Sequence, residues 1–152
     1  MENLYPLLFG LVGTGVMSLV LYAIGQAEGP TAAMVRGVGS SITTPVGGSL
    51  VPGGAVHIVA GIVFAYLYMG LGHAWAPLAP SLLVLLGLVV GLARGIAVSA
   101  VLGMLAFDQD PLGRMSLAGP GVGAIHVLGT LLYGLSLSLL YGFIPADRML
   151  MF

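Results

Sequence analysis

Residues 82–107 read LLVLLGLVVGLARGIAVSAVLGMLAF, with Arg94 the single charge. A helix of about 20 apolar residues crosses the ~30 Å hydrocarbon core of a bilayer. This run is longer than that. A membrane β-strand would show ~10 residues of strict apolar–polar alternation, and Leu82-Leu83-Val84-Leu85-Leu86 does not alternate. The stretch therefore predicts a transmembrane helix. Three further stretches, about 5–25, 51–71 and 121–143, have the same character. The expected fold class is all-α and integral to a membrane, a bundle of four transmembrane helices in one domain over residues 1–152.

Composition agrees. Of the 152 residues, 59% are hydrophobic and 6% charged, against roughly 25% charged in soluble domains. Four arginines and five acids cannot cover a water-facing surface, so lipid must cover most of it. The net charge of -1 leaves no basic footprint for nucleic acid. With no cysteine there is no disulfide, thiolate nucleophile or thiolate-held metal. Met1-Glu2-Asn3 lacks the basic flank of a signal peptide, so the first span reads as retained.

The links differ. Residues 26–50 form a long, polar, Gly-rich first loop, in which Pro30 to Arg36 can form a short interfacial helix. The second link, His73 to Pro80, is short and predicts that spans two and three are neighbours. The third carries Asp108, Asp110, Pro111 and Arg114. The acids read as solvated loop residues at a helix end. His73 lies beside Trp75 and reads as interfacial. Arg36 and Arg114 share a side against Arg148 alone, which places the first and third loops in the cytoplasm by the positive-inside rule.

The chain also resembles itself. A shift of 81 lays span one on span three, matching Gly10-Leu11 with Gly91-Leu92, Ser18 with Ser99, and Pro30 with Pro111. A shift of 69 lays span two on span four, matching Ala55-Val56-His57 with Ala124-Ile125-His126. The expectation is two parallel helical-hairpin repeats, 1–80 and 81–152, related by a pseudo-twofold axis along the membrane normal. Small residues recur at every fourth position: Gly10, Thr14 and Ser18; Gly91, Gly95, Ser99 and Gly103; Thr130, Gly134 and Ser138. Such stripes let helix backbones approach closely in lipid. They predict tight packing within the bundle, or self-association through an outer face.

Val16-Met17-Ser18 closing a Gly-rich first span, Ala55-Val56-His57 heading the second, and His126 with Tyr133-Gly134 in the fourth resemble the YagU-like group of small prokaryotic four-helix membrane proteins. The resemblance covers most of the chain and implies the fold and a prokaryotic cytoplasmic membrane. It implies no reaction. The long first loop and the missing basic N-terminal flank depart from the group.

Three residues are candidates for function. Arg94 lies mid-span, where a charge costs about 2.5–3.5 kcal/mol on insertion scales. Its repeat mate is Gly13, and no carboxylate lies within any span. It must snorkel to an interface or pair with backbone carbonyls, a Tyr hydroxyl, a ligand anion or a partner subunit. His57 and His126 lie at matching depths, about two turns into their helices. Each can bond a neighbouring helix, or the two together can ligate the iron of haem b, with Arg94 on a propionate. Tyr66, Tyr68, Tyr133 and Tyr141 fall in the second halves of their spans, on the same side as Trp75 and Tyr5, and together they suggest an aromatic belt. Hydrolytic triads, phosphate loops and dinucleotide motifs are missing from the sequence. The functional expectation is a non-enzymatic accessory subunit of a larger membrane complex, such as a respiratory one. Its partners would be lipid and other membrane subunits or itself. The alternatives are a bis-His haem protein and an oligomeric carrier or channel using Arg94.

Overall fold

The computed structural model describes residues 4–25, 35, 38–39, 50–74, 80–109 and 119–142. These form four long helices: α1 (Leu4–Gly25), α2 (Leu50–Ala74), α3 (Pro80–Gln109) and α4 (Gly119–Gly142). Pro52, Pro80 and Pro120 sit at or near first turns, where a missing N–H costs nothing. Within the helices, Leu4–Ile24, Leu50–Gly72, Ser81–Ala100 and Gly123–Gly142 are long and apolar enough to cross a membrane. This is the architecture of a multi-pass membrane protein. Large apolar side chains such as Leu19, Val59, Leu85 and Leu139 point outward from all four helices, as lipid contact requires.

Packing around the bundle is uneven. The α3–α4 seam is the most intimate, α1 packs broadly on both α2 and α4, and α2 meets α3 and α4 sparsely. Spans two and three are thus neighbours only loosely, despite their short link. The reason lies in side-chain size. On α3, Gly91 sits so close to α4 that an added Cβ would come 3.3 Å from Leu131 Cα and clash with the Thr130 carbonyl. On α1, a Cβ at Gly10 would come 2.7 Å from Ile62 Cα on α2. No such backbone approach forms between α2 and α3, which are bridged by side chains instead. Tyr68 donates its hydroxyl hydrogen to the Leu83 carbonyl at 3.0 Å, and Arg94 reaches Phe64.

Two small polar residues of the α3–α4 seam bond within their own helix, which satisfies their hydroxyls in lipid. Thr130 Oγ1 donates to the Val127 carbonyl at 2.8 Å, and Ser138 Oγ lies 2.9 Å from the Gly134 carbonyl. Thr14 on α1 fits against Gly61 on α2, and Thr130 on α4 fits against Gly95 on α3.

The tyrosines correct the expected belt. Tyr68, Tyr133 and Tyr141 are core residues, buried with Met17, Leu21, Met69 and Leu137; Tyr66 alone of the four is exposed. Polar groups inside the bundle draw them in. Tyr133 donates to the Gly61 carbonyl, while Tyr68 reaches the Leu83 carbonyl and, at 3.0 Å, Ser138 Oγ. The interfacial helix expected at Pro30–Arg36, the loop arginines, Trp75, Asp110 and Pro111 lie outside the described residues. So do the side chains of His73 and Asp108 and the surroundings of Gly103.

Candidate functional site

Arg94 does not snorkel. It is 5% exposed, and its long side chain turns into the bundle. The guanidinium carbon lies 4.3 Å from the centroid of the Tyr133 ring on α4 and 4.5 Å from that of Phe64 on α2. Each desolvated cation–π contact is worth up to about 2 kcal/mol. Two of them roughly offset the ~2.5–3.5 kcal/mol insertion cost of a mid-span arginine. The rings therefore explain how the charge is tolerated. They leave two of its nitrogens without a hydrogen bond: Nε and Nη1 have no partner.

On α1, a Cβ at Gly13 would come 3.0 Å from Tyr133 Cδ2 and Cε2. The Tyr133 ring thus presses on Gly13 as well as meeting Arg94. A second long side chain at position 13 would have to displace that ring.

The two histidines lie seven residues, or two helical turns, before the two rings: 64 − 57 = 7 and 133 − 126 = 7. Seven residues return a helix nearly to the same face, about 10 Å along the axis. Because Phe64 and Tyr133 both reach Arg94, His57 and His126 start from the same inward faces, nearer the long-loop end. Arg94 acts electrostatically on both imidazoles, and His57 on His126. His57 Nε2 makes a long contact, 3.4 Å, with Ser18 Oγ on α1. On α3 and α4, Ser99 Oγ and His126 Nε2 are both buried without partners. Thr14 Oγ1, one layer deeper, is also unpartnered.

The site is therefore a cationic interior with unpartnered polar groups, and its four apolar spans contain no Asp or Glu. Among the described residues no group of three or more His, Cys, Asp and Glu is placed to hold a metal ion. Gly10, Thr14, Gly91, Gly95, Thr130, Gly134 and Ser138 are buried at helix contacts around it, whereas Ser18 is exposed and Ser99 half-buried. Sequence reasoning singled out Arg94 and the histidine pair. It missed Phe64 and placed Tyr133 in a belt. The signal was present in the equal spacing of seven from each histidine to each ring.

No family model, curated protein or solved structure matches this chain.

Proposed function

We propose that this is a non-enzymatic membrane protein that holds an acidic ligand group, a carboxylate or phosphate, inside its bundle against Arg94. The observation that carries the reading is the caged guanidinium with Nε and Nη1 unpartnered. Buried polar groups are ordinarily hydrogen-bonded, and an unmade bond in low dielectric costs about 1–3 kcal/mol. A ligand anion answers that need, and His126, Ser99 and Thr14 provide further donors along the way to it. Because Arg94 turns inward, a neighbouring subunit's helix surface does not reach it. An internal ligand explains it better than a bridge between subunits.

The test is equilibrium binding in detergent, with octanoate and inorganic phosphate as probes. We expect saturable binding of at least one, weakened at least tenfold in Arg94→Leu. Equal affinity in the variant would remove the reading.

A second reading is favoured by the histidines. His57 and His126 start from matching inward faces, and His126 Nε2 is free of partners. Haem b held by the two imidazoles, with a propionate on Arg94, is one acid-bearing ligand of the proposed kind. A reduced-minus-oxidised spectrum after haem-replete expression decides it, and absence of a Soret band would rule it out.

We further propose that the hairpins are parallel repeats. Gly10 against Ile62 and Gly91 against Leu131 are the same contact under the shifts of 81 and 69. Thr14 against Gly61 becomes Gly95 against Thr130, the large and small partners exchanged. The proposed location is a prokaryotic cytoplasmic membrane, on the strength of the YagU-like resemblance. Membership of a larger membrane complex rests on the composition, and co-migration of other subunits in mild detergent is its test.

A further inference from the structure

Interior polar groups divide by depth. On the side of the first and third loops lie His57, against the exposed Ser18, with Ser99 and His126, then Thr14, then the Arg94 guanidinium between α2 and α4. Five of their polar atoms are buried without partners: Thr14 Oγ1, Arg94 Nε and Nη1, Ser99 Oγ and His126 Nε2. Below Arg94, toward the short second link, the interior is knotted. Tyr68 on α2 donates to the Leu83 carbonyl on α3 at 3.0 Å and lies 3.0 Å from Ser138 Oγ on α4. Ser138 Oγ is itself 3.1 Å from the Leu83 carbonyl. Tyr141 packs edge-on against Tyr68, with ring centroids 6.1 Å apart at 89°. A Cβ on Gly72 would come 3.4 Å from Tyr141 Cζ. Tyr68 and Ser138 thus use their hydrogen-bonding capacity on one another and on backbone; the Tyr141 hydroxyl is the exception and has no partner. Ala65, Met69 and Leu137 are buried among the same core residues.

We infer that the Arg94 site is a blind pocket. Its acidic ligand arrives from the face of the first and third loops, passes the His57–His126 level, and stops at Arg94 above the Tyr68–Leu83–Ser138 knot. This rests on the anion-binding reading and adds its direction. Donors without partners are tolerable where water or ligand can visit them, and a closed end needs its own groups satisfied. The arrangement holds an anion; it does not conduct one through the bundle.

A chain without cysteine makes the test clean. Single variants Ser99→Cys, Ser138→Cys and Met69→Cys are reconstituted in oriented vesicles and treated with a membrane-impermeant anionic thiosulfonate from either face. Met69→Cys covers the case in which Ser138→Cys disturbs the knot. We expect Ser99→Cys to react from the loop face at least tenfold faster than from the other, and both knot-side variants to stay unmodified from either face. Octanoate should slow Ser99→Cys labelling, and adding Arg94→Leu should abolish that protection. Labelling of Met69→Cys or Ser138→Cys as fast as Ser99→Cys would overturn the closed end. An unreactive Ser99→Cys would overturn aqueous access. One-sided labelling with no octanoate effect would leave the blind pocket standing and remove the anion.

Discussion

Arg94 is costly in lipid, and its two ring contacts nearly cancel that cost. The balance predicts that Arg94→Leu unfolds within about 1 kcal/mol of the parent, since charge and cation–π contacts leave together. Stripping one ring should be worse. Phe64→Leu leaves the guanidinium short of a partner and should cost about 2 kcal/mol, less in the Arg94→Leu background. Reversible unfolding in mixed micelles measures all three. An equal Phe64→Leu penalty in both backgrounds would mean that the ring serves packing alone. Tyr133→Phe keeps the ring on Arg94 and removes the hydroxyl, with its bond to the Gly61 carbonyl and its contact with the guanidinium, for an expected loss of about 0.6–1.7 kcal/mol. No loss in the same assay would show those hydroxyl contacts to be without weight.

At the scale of elements, backbone proximity decides which glycines matter. Gly91 lies against the Thr130 carbonyl and Leu131 Cα, so Gly91→Val must push α3 and α4 apart. Overpacking of this kind costs about 1–3 kcal/mol. Gly15 on α1 has nothing within 4 Å of an added Cβ. There Gly15→Ala should be neutral or stabilise by up to about 1 kcal/mol through helix propensity. Thermal melting of the two variants checks the pair, and equal effects would contradict the seam. The small-residue periods in the sequence pointed to close packing but not to which helix meets which. A stripe such as Gly91-x-x-x-Gly95 has the same spacing whether it faces a neighbour or lipid. The short second link likewise suggested an α2–α3 seam, because loop length limits distance between ends and says nothing of side-chain size along the helices.

Across the whole molecule, the four spans were legible because lipid imposes length and near-continuous apolarity on a span, and all four stretches, 82–107 most plainly, showed both. The candidate site was half legible. A lone mid-span charge and two matching histidines stand out against an apolar background. Tyr133 and Phe64 do not, since an aromatic residue in a span reads the same at a lipid interface as in a core. Only the fold turns Tyr133 inward and sets its ring against Gly13 and the Arg94 guanidinium. The halves of the bundle then differ: five unpartnered polar atoms toward the long loop, and toward the short link a hydroxyl–carbonyl knot beside which only the Tyr141 hydroxyl is unpartnered among the described residues. The central claim is that an acid sits on Arg94. The most direct measurement is solid-state NMR dipolar recoupling between carboxyl-labelled octanoate and arginine side-chain nitrogens in reconstituted protein. A charge-assisted bond places the carboxyl carbon within about 4 Å of a guanidinium nitrogen. Coupling at that range, lost in Arg94→Leu, is the predicted result; no coupling at saturating octanoate, or coupling that persists in the variant, would contradict it.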